Sequence, residues 1–327
     1  MTTALSLLNL VPLRAGQNSK QAIDAAVRLA QFTESLGYTR YWIAEHHNTP
    51  NLASSATQLL IGHVLSQTQS IRIGSGGVML PNHSPLMVAE QYGTLATLYP
   101  QRVDLGLGRA PGTDQRTAAA LRRHFSHQPY DFAQDIGELQ YYFSPLQSED
   151  SVRAYPAAGI DVPLYILGSS TESAYLAAAL GLPYAFAAHF APALLLQAAD
   201  IYRRHFQASP QYARPYFIVA LNAIVAETEA EAAYLASSQQ QFFLNVLTNS
   251  RRPLAPPIDN MDALWTPAQQ YQVEHMTACS MIGSPDSVKT QITTLQAQIH
   301  ADEIMAVSYI YDEDLQHRSY QLLKNLF

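Results

Sequence analysis

Residues 71–112 read IRIGSGGVMLPNHSPLMVAEQYGTLATLYPQRVDLGLGRAPG. Residues 71–81 are apolar and β-branched around a glycine-rich centre, residues 85–98 follow a helical rhythm behind Pro85, and residues 103–108 return to an apolar run. A run, a helix and a second run in this order make the unit of a parallel sheet, whose neighbouring strands cannot be joined by a tight turn. Neither run alternates strictly between polar and apolar types. Strands covered on both faces read this way.

The same unit repeats in both directions. Upstream, residues 5–10 precede a helical stretch at 20–35, where Ile23, Val27, Ala30 and Glu34 recur at helical spacing and Gly37 ends the element. Residues 38–44 form a second run before a helix at 53–66. Downstream, a helix begins near Asp114, and further strands are predicted at 162–167, 182–188, 215–226 and 303–311. Helices are predicted behind them, at 191–206, 227–247 and 284–300 among others. The count of eight strands predicts a single (β/α)₈ TIM barrel over residues 1–327 with its site at the C-terminal mouth. Periodicity alone leaves a doubly wound open sheet standing. Two stretches break the rhythm. Residues 126–155, rich in aromatic and acidic types, are expected to form an αβ excursion. Residues 248–267 contain RRPLAPPID and read as too stiff and polar for a core; a mobile loop over the barrel mouth, reaching about residue 280, is the expectation.

Composition narrows the function. The 327 residues carry 19 Lys+Arg against 26 Asp+Glu, a formal charge of −7, which argues against a nucleic-acid-binding surface. Cys279 is the single cysteine, so neither an intrachain disulfide nor a thiolate zinc site can form. The opening MTTALSLLNLVPL has no basic run before its apolar stretch and reads as a first strand, not a signal peptide. No segment reaches the roughly 18 apolar residues of a membrane helix. A cytoplasmic protein without membrane contact is expected.

Polar groups gather where the strands end. Strand two ends in Glu45-His46-His47-Asn48, strand three runs on to Asn82-His83, strand four ends in Gly108-Arg109, strand five in Gly168-Ser169-Ser170, strand six near His189 and strand eight near Tyr309. Adjacent residues of a strand face opposite sides, so His46 and His47 do not naturally chelate one ion; no HExxH template is present, and no metal is expected. Proton transfer or substrate orientation by one of them is the favoured reading, against hydrogen bonding in a polar loop. GSSTES places hydroxyls and the N-terminus of a helix behind a strand, which suits an anion and equally suits simple capping. Arg109 could pair with a phosphate there. Gly76-Gly77 inside an apolar strand marks either something pressed against the backbone or a tight bend.

Together these motifs resemble the luciferase-like family of flavin-dependent monooxygenases, in particular its compact bacterial members. The resemblance runs through YWIAEHH, GSGGVMLPNHSPLMVAEQ, VDLGLGRAPG and LGSSTESAYLAAALGLP and covers nearly the whole chain. It implies a (β/α)₈ barrel, usually dimeric, holding reduced FMN at the mouth for reaction with O₂ and a small, largely apolar substrate. His46 matches the family's catalytic histidine. Gly76 and Gly77 match a dipeptide, often joined by a cis bond, beside the isoalloxazine. Arg109, Ser169, Ser170 and Ser173 match the phosphate site. His47, Asn82 and His189 are second choices on the rim. The chain shows no dinucleotide fingerprint, so a separate flavin reductase is expected as partner. The luciferase proper has a carboxylate where this chain has Ser169, and its cysteine near the flavin is unmatched, which weakens any expectation of light emission. Three rivals remain: a deazaflavin-dependent oxidoreductase, a noncatalytic flavin-binding protein, and a metal-dependent barrel hydrolase.

Overall fold

The computed structural model describes residues 3–110, 114–121, 130–145 and 152–327. Nine strands are found among them: β1 Ala4–Asn9, β2 Arg40–Ile43, β3 Arg72–Met79, β4 Val103–Gly108, β5 Leu164–Gly168, β6 Tyr184–Ala187, β7 Phe217–Val225, β8 Met281–Gly283 and β9 Glu303–Val307. All pairings between them are parallel. β1 to β7 pair in sequence, β7 pairs with β9 and β9 returns to β1, so eight strands close a TIM barrel. β8 is the one departure from the eight expected strands. It is short and pairs with the C-terminal end of β7 outside the ring, between residues 223–225 and 281–283.

The strands read as continuous apolar runs because both of their faces are buried. In β2, Tyr41 and Ile43 pack into the layer between sheet and helices, while Trp42, and Ala44 just behind the strand, point into the barrel. β7 repeats this with Phe217, Val219 and Leu221 outward and Ile218 and Ala220 inward, and β9 with Ile304 and Ala306 against Met305 and Val307. Two apolar cores therefore arise from one period-two pattern.

The lower barrel is polar. Arg40 lies between Asp104, at 2.7 Å, and Glu303, at 2.8 Å, with all three side chains almost wholly buried. Arg72 adds a second contact to Asp104, and the Tyr216 hydroxyl donates to Glu303 at 2.7 Å. Burial disfavours the Arg40 charge, but Glu303 and Asp104 outweigh it and hold the guanidinium protonated.

The two irregular stretches have definite parts. Among its described residues, 126–155 holds the helix Phe132–Phe143 and no strand; residues 126–129 and 146–151 lie outside the described residues. Segment 248–267 is not wholly polar at its base. Leu254 is buried and pairs with the loop after β1, through Ala15 N–H to the Leu254 carbonyl at 2.8 Å and Leu254 N–H to the Leu13 carbonyl at 2.8 Å, and Met261 is buried as well. The helix Pro267–Met276 follows, with a capping box at Thr266 and Gln269.

Candidate active site at the barrel mouth

The C-terminal ends of the strands surround a cavity of about 650 Å³. Every residue read from the sequence as catalytic or cofactor-binding lines it: His46 behind β2, Gly76 and Gly77 in β3, Arg109 behind β4, and Ser169, Ser170 and Ser173 behind β5. His189 and Tyr309 line it as well, whereas His47 and Asn82 are not among its walls.

Gly76 and Gly77 are joined by a cis peptide bond. The β3–β4 register shifts between Ser75 and Val78, at the same place. A Cβ on Gly76 would stand 2.5 Å from Leu8 Cδ1, and one on Gly77 would stand 2.8 Å from the Gly106 carbonyl oxygen. The strand is irregular at this dipeptide, and neighbouring protein atoms leave no room for a side chain on either residue.

At the end of β5, Ser170 caps the helix Thr171–Leu180 by accepting from the Ser173 N–H at 3.3 Å. Ser173 Oγ donates to the Ser170 carbonyl at 2.8 Å and shares a hydrogen bond with the Tyr184 hydroxyl at 2.8 Å. A Cβ at Gly168 would meet Ser173 Oγ at 2.2 Å, so the helix can begin this close to the strand only behind glycine. The cap satisfies the Ser173 amide and the Glu172 carboxylate takes its own backbone N–H, which leaves part of the first turn for solvent or an anion. The exposed Arg109 stands near this turn, where its charge reaches Glu172. A second hollow of about 620 Å³ opens beside the first and shares Arg109 and Ser173 with it.

The residues around His46, just behind β2, divide between two sides. His46 faces the cavity, and Glu45 and His47 turn to the other side. The Glu45 carboxylate, fully buried, takes His47 Nε2 at 2.6 Å and His83 Nε2 at 2.7 Å on one oxygen and the Met79 N–H at 3.2 Å on the other. Burial pushes this carboxyl up, but the hydrogen bonds from His47 and His83 prevail and hold it at about 2. Glu45 thereby ties the end of β2 to the end of β3. One ligating atom from each of the three lies within 4.8 Å of the others, so the trio, from which no metal was expected, has the spacing of a metal-binding group, and two hydrogen bonds join it.

His46 titrates below the ordinary imidazole range. Burial drives it down to about 4, against the opposing charge of Glu45 and with help from His47. At neutral pH the ring is uncharged, with one donor and one acceptor nitrogen.

Sequence reading missed the walls. Trp42, Phe242, Phe243 and Met305 form the apolar surface, and Asn245 comes over the mouth from the end of the helix Glu229–Leu247; Asn249 and Arg251 come from the segment that was expected there. Arg251 donates to the Asn48 carbonyl at 2.7 Å and stands 3.8 Å from Asp114. Trp42 could have been found from its place one residue out of phase with Tyr41 and Ile43. Nothing in the periodicity of the long helix announces that its last turns cover the mouth.

A family model described as luciferase-like monooxygenase matches residues 3–301. An Escherichia coli protein named luciferase-like monooxygenase is 46% identical over 321 residues, covering 98% of this chain and 96% of its own. A Bacillus subtilis N-acetyl-S-alkylcysteine monooxygenase is 30% identical over 328 residues, covering 98% and 97%. The crystal structure of apo-MsnO8 superposes with a TM-score of 0.88 at 32% identity, covering 100% of this chain and 98% of that one. More distant structures share the fold, among them the FMN complex of the oxygenating constituent of a 3,6-diketocamphane monooxygenase from Pseudomonas putida (TM-score 0.74, 17% identity, 99% and 97% covered) and a secondary alcohol dehydrogenase dependent on coenzyme F₄₂₀ (TM-score 0.68, 14% identity, 98% and 98% covered).

Proposed function

The chain belongs to the luciferase-like monooxygenase family, and from that premise we propose that it uses reduced FMN and O₂ to oxygenate a small, largely apolar molecule. The observation that carries this reading is the convergence of His46, Gly76, Gly77, Arg109, Ser169, Ser170 and Ser173 on one cavity.

The residues present fit FMN. The side-chain-free backbone at Gly76-Gly77 offers a flat surface of the kind a ring system needs. The helix N-terminus at Ser170, with Ser169 beside it and Arg109 opposite, supplies amides, a hydroxyl and one fixed positive charge for a phosphate. A cavity of about 650 Å³ is of the size that holds a cofactor together with a small partner. When bound, reduced FMN supplies the electrons that activate O₂.

The chain's own part is position, dryness and proton control. Trp42, Leu8, Phe242, Phe243 and Met305 exclude water from the chamber and receive the apolar body of the substrate. His46, neutral and buried, accepts a proton or hydrogen bond from the reacting groups. Glu45 holds the loop that carries it. A separate flavin reductase and a homodimeric assembly complete the reading.

The test mixes anaerobic protein and reduced FMN with O₂ and a panel of aldehydes, ketones and thioethers, the last chosen because of the N-acetyl-S-alkylcysteine relative. Oxygenated product and oxygen uptake above the free-flavin rate are expected. Uptake at the free-flavin rate with every compound sinks the monooxygenase reading. Turnover with a reduced deazaflavin and none with FMN replaces it by hydride transfer.

A further inference from the structure

Glu45 and His47 lie just behind β2, two residues apart, and His83 caps the short 3₁₀ turn Leu80–Asn82 that follows β3. None of the three belongs to the described walls of the cavity, so the trio stands apart from the residues assigned to cofactor and substrate. His47 Nε2 and His83 Nε2 reach the same Glu45 oxygen, at 2.6 Å and 2.7 Å. Two ring nitrogens from separate loops thus converge on one point. The rings are tilted by 47° with centroids 6.4 Å apart, and they meet at that point without stacking on each other. One donor atom from each residue lies within 4.8 Å of the other two.

Convergence of nitrogen lone pairs beside a carboxylate oxygen is what a chelate requires. A zinc ion takes a histidine nitrogen at about 2.0–2.1 Å and a carboxylate oxygen at about 2.0–2.2 Å. Side-chain shifts of roughly 0.5–1 Å bring the trio to those lengths. Two of the three side chains have room to make them, His47 being 14% and His83 22% exposed. The other Glu45 oxygen is held by the Met79 N–H at 3.2 Å, a long bond that yields to such a shift. The Glu45 side chain is 0% exposed, and buried carboxylates persist where they are paired or bound to a metal. The exposed edges of the two rings give an ion a way in and leave a place for water as a further ligand. Two nitrogens and one oxygen suit a transition ion of borderline softness, whereas Mg²⁺ and Ca²⁺ take oxygen donors. We propose that Glu45, His47 and His83 form a binding site for one divalent transition-metal ion, zinc being the ion whose ligand preferences match the trio. The ion would join the loop that carries His46 to the turn behind β3, from outside the cavity, in place of the two hydrogen bonds. The proposal is independent of the monooxygenase reading.

The test reads binding alone. The full chain is stripped of metal with EDTA and titrated with zinc chloride; bound zinc is counted by atomic absorption after gel filtration, and the unfolding midpoint is followed in parallel. About one zinc per chain is expected, with a midpoint that rises with zinc concentration. His47→Gln and His83→Gln each keep an N–H for Glu45 but lose the ring nitrogen, so each should weaken zinc binding about tenfold or more. His63→Gln changes an exposed histidine on the helix Thr57–Gln67 and should leave zinc binding as it is. In the wild type, zinc should shift the imidazole resonances of two histidines far more than the rest. A wild type without a saturable zinc site, a zinc response confined to one histidine or to none, or undiminished binding in either folded variant of the trio overturns the proposal. The resonances decide even where a variant does not fold. Failure of the monooxygenase reading is seen separately, in the oxygen uptake.

Discussion

The indole N–H of Trp42 donates to Asp104 Oδ2 at 3.1 Å, so the floor of the cavity rests on the ion cluster that fills the lower barrel. Arg40 compensates both Asp104 and Glu303 there. Arg40→Met leaves two buried carboxylates without their cation and should cost about 3–5 kcal/mol of stability, measured by urea unfolding. A loss below about 1 kcal/mol would show that Arg72 alone neutralises the cluster.

Gly168→Ala tests how closely the phosphate-side helix must approach β5. The added methyl would meet Ser173 Oγ at 2.2 Å and Ser173 Cβ at 2.4 Å, so the first turn has to move. A destabilisation of about 1–3 kcal/mol is expected, together with a loss of FMN affinity read from flavin fluorescence quenching. Unchanged affinity in a destabilised protein would separate the turn from the cofactor.

Arg109→Ala should weaken FMN binding about tenfold and leave riboflavin binding unchanged, since only the phosphate carries the charge that Arg109 pairs with. His46→Ala should do the reverse, cutting turnover by about 10²-fold or more with FMN affinity near that of the wild type. If Arg109→Ala binds FMN as the wild type does, the phosphate site lies elsewhere.

Acid should weaken the fold in two separate windows. His46 and His189 are both depressed to about 4 from an ordinary 6.5, His189 by burial first and then by the nearby His46. Between those values the unfolded chain binds protons that the folded chain does not, so the stability is whole above about pH 6.5 and declines as the pH falls toward 4. Glu45, held at about 2 against an ordinary 4.5, contributes stability that is present above 4.5 and lost as the pH falls toward 2. Urea midpoints followed from pH 7 downward should therefore decline less steeply through the first window in His189→Gln, and less steeply through the second in Glu45→Gln. Parallel curves for wild type and both variants would contradict the assignment.

The barrel and the line of its rim were legible because both follow from period and order. Apolar runs separated by helices gave the eight ring strands, and the strand ends gave His46, Gly76, Gly77, Arg109 and the serines of residues 169–173, all of which meet at the cavity. What stayed hidden depends on distance in the chain or on environment. β8 has three residues and, among the described residues, pairs only with β7, too short for any pattern to announce. The bridge from Glu45 to His83 spans 38 positions, and only closure of β2 onto β3 brings its ends together. The neutrality of His46 comes from burial, which no local run of residues encodes. Leu254 was read with its polar neighbours and is instead the anchor of its segment on the loop after β1.

The arrangement of a charged floor beneath an apolar chamber has a kinetic meaning. Arg40, Asp104 and Glu303 plug the barrel from below, and the segment that carries Asn249 and Arg251 lies over the top, so the chamber is a blind well. Two occupants of such a well share one entrance, so an ordered arrival is the expected kinetics, to be read as one-sided inhibition when the later arrival is in excess.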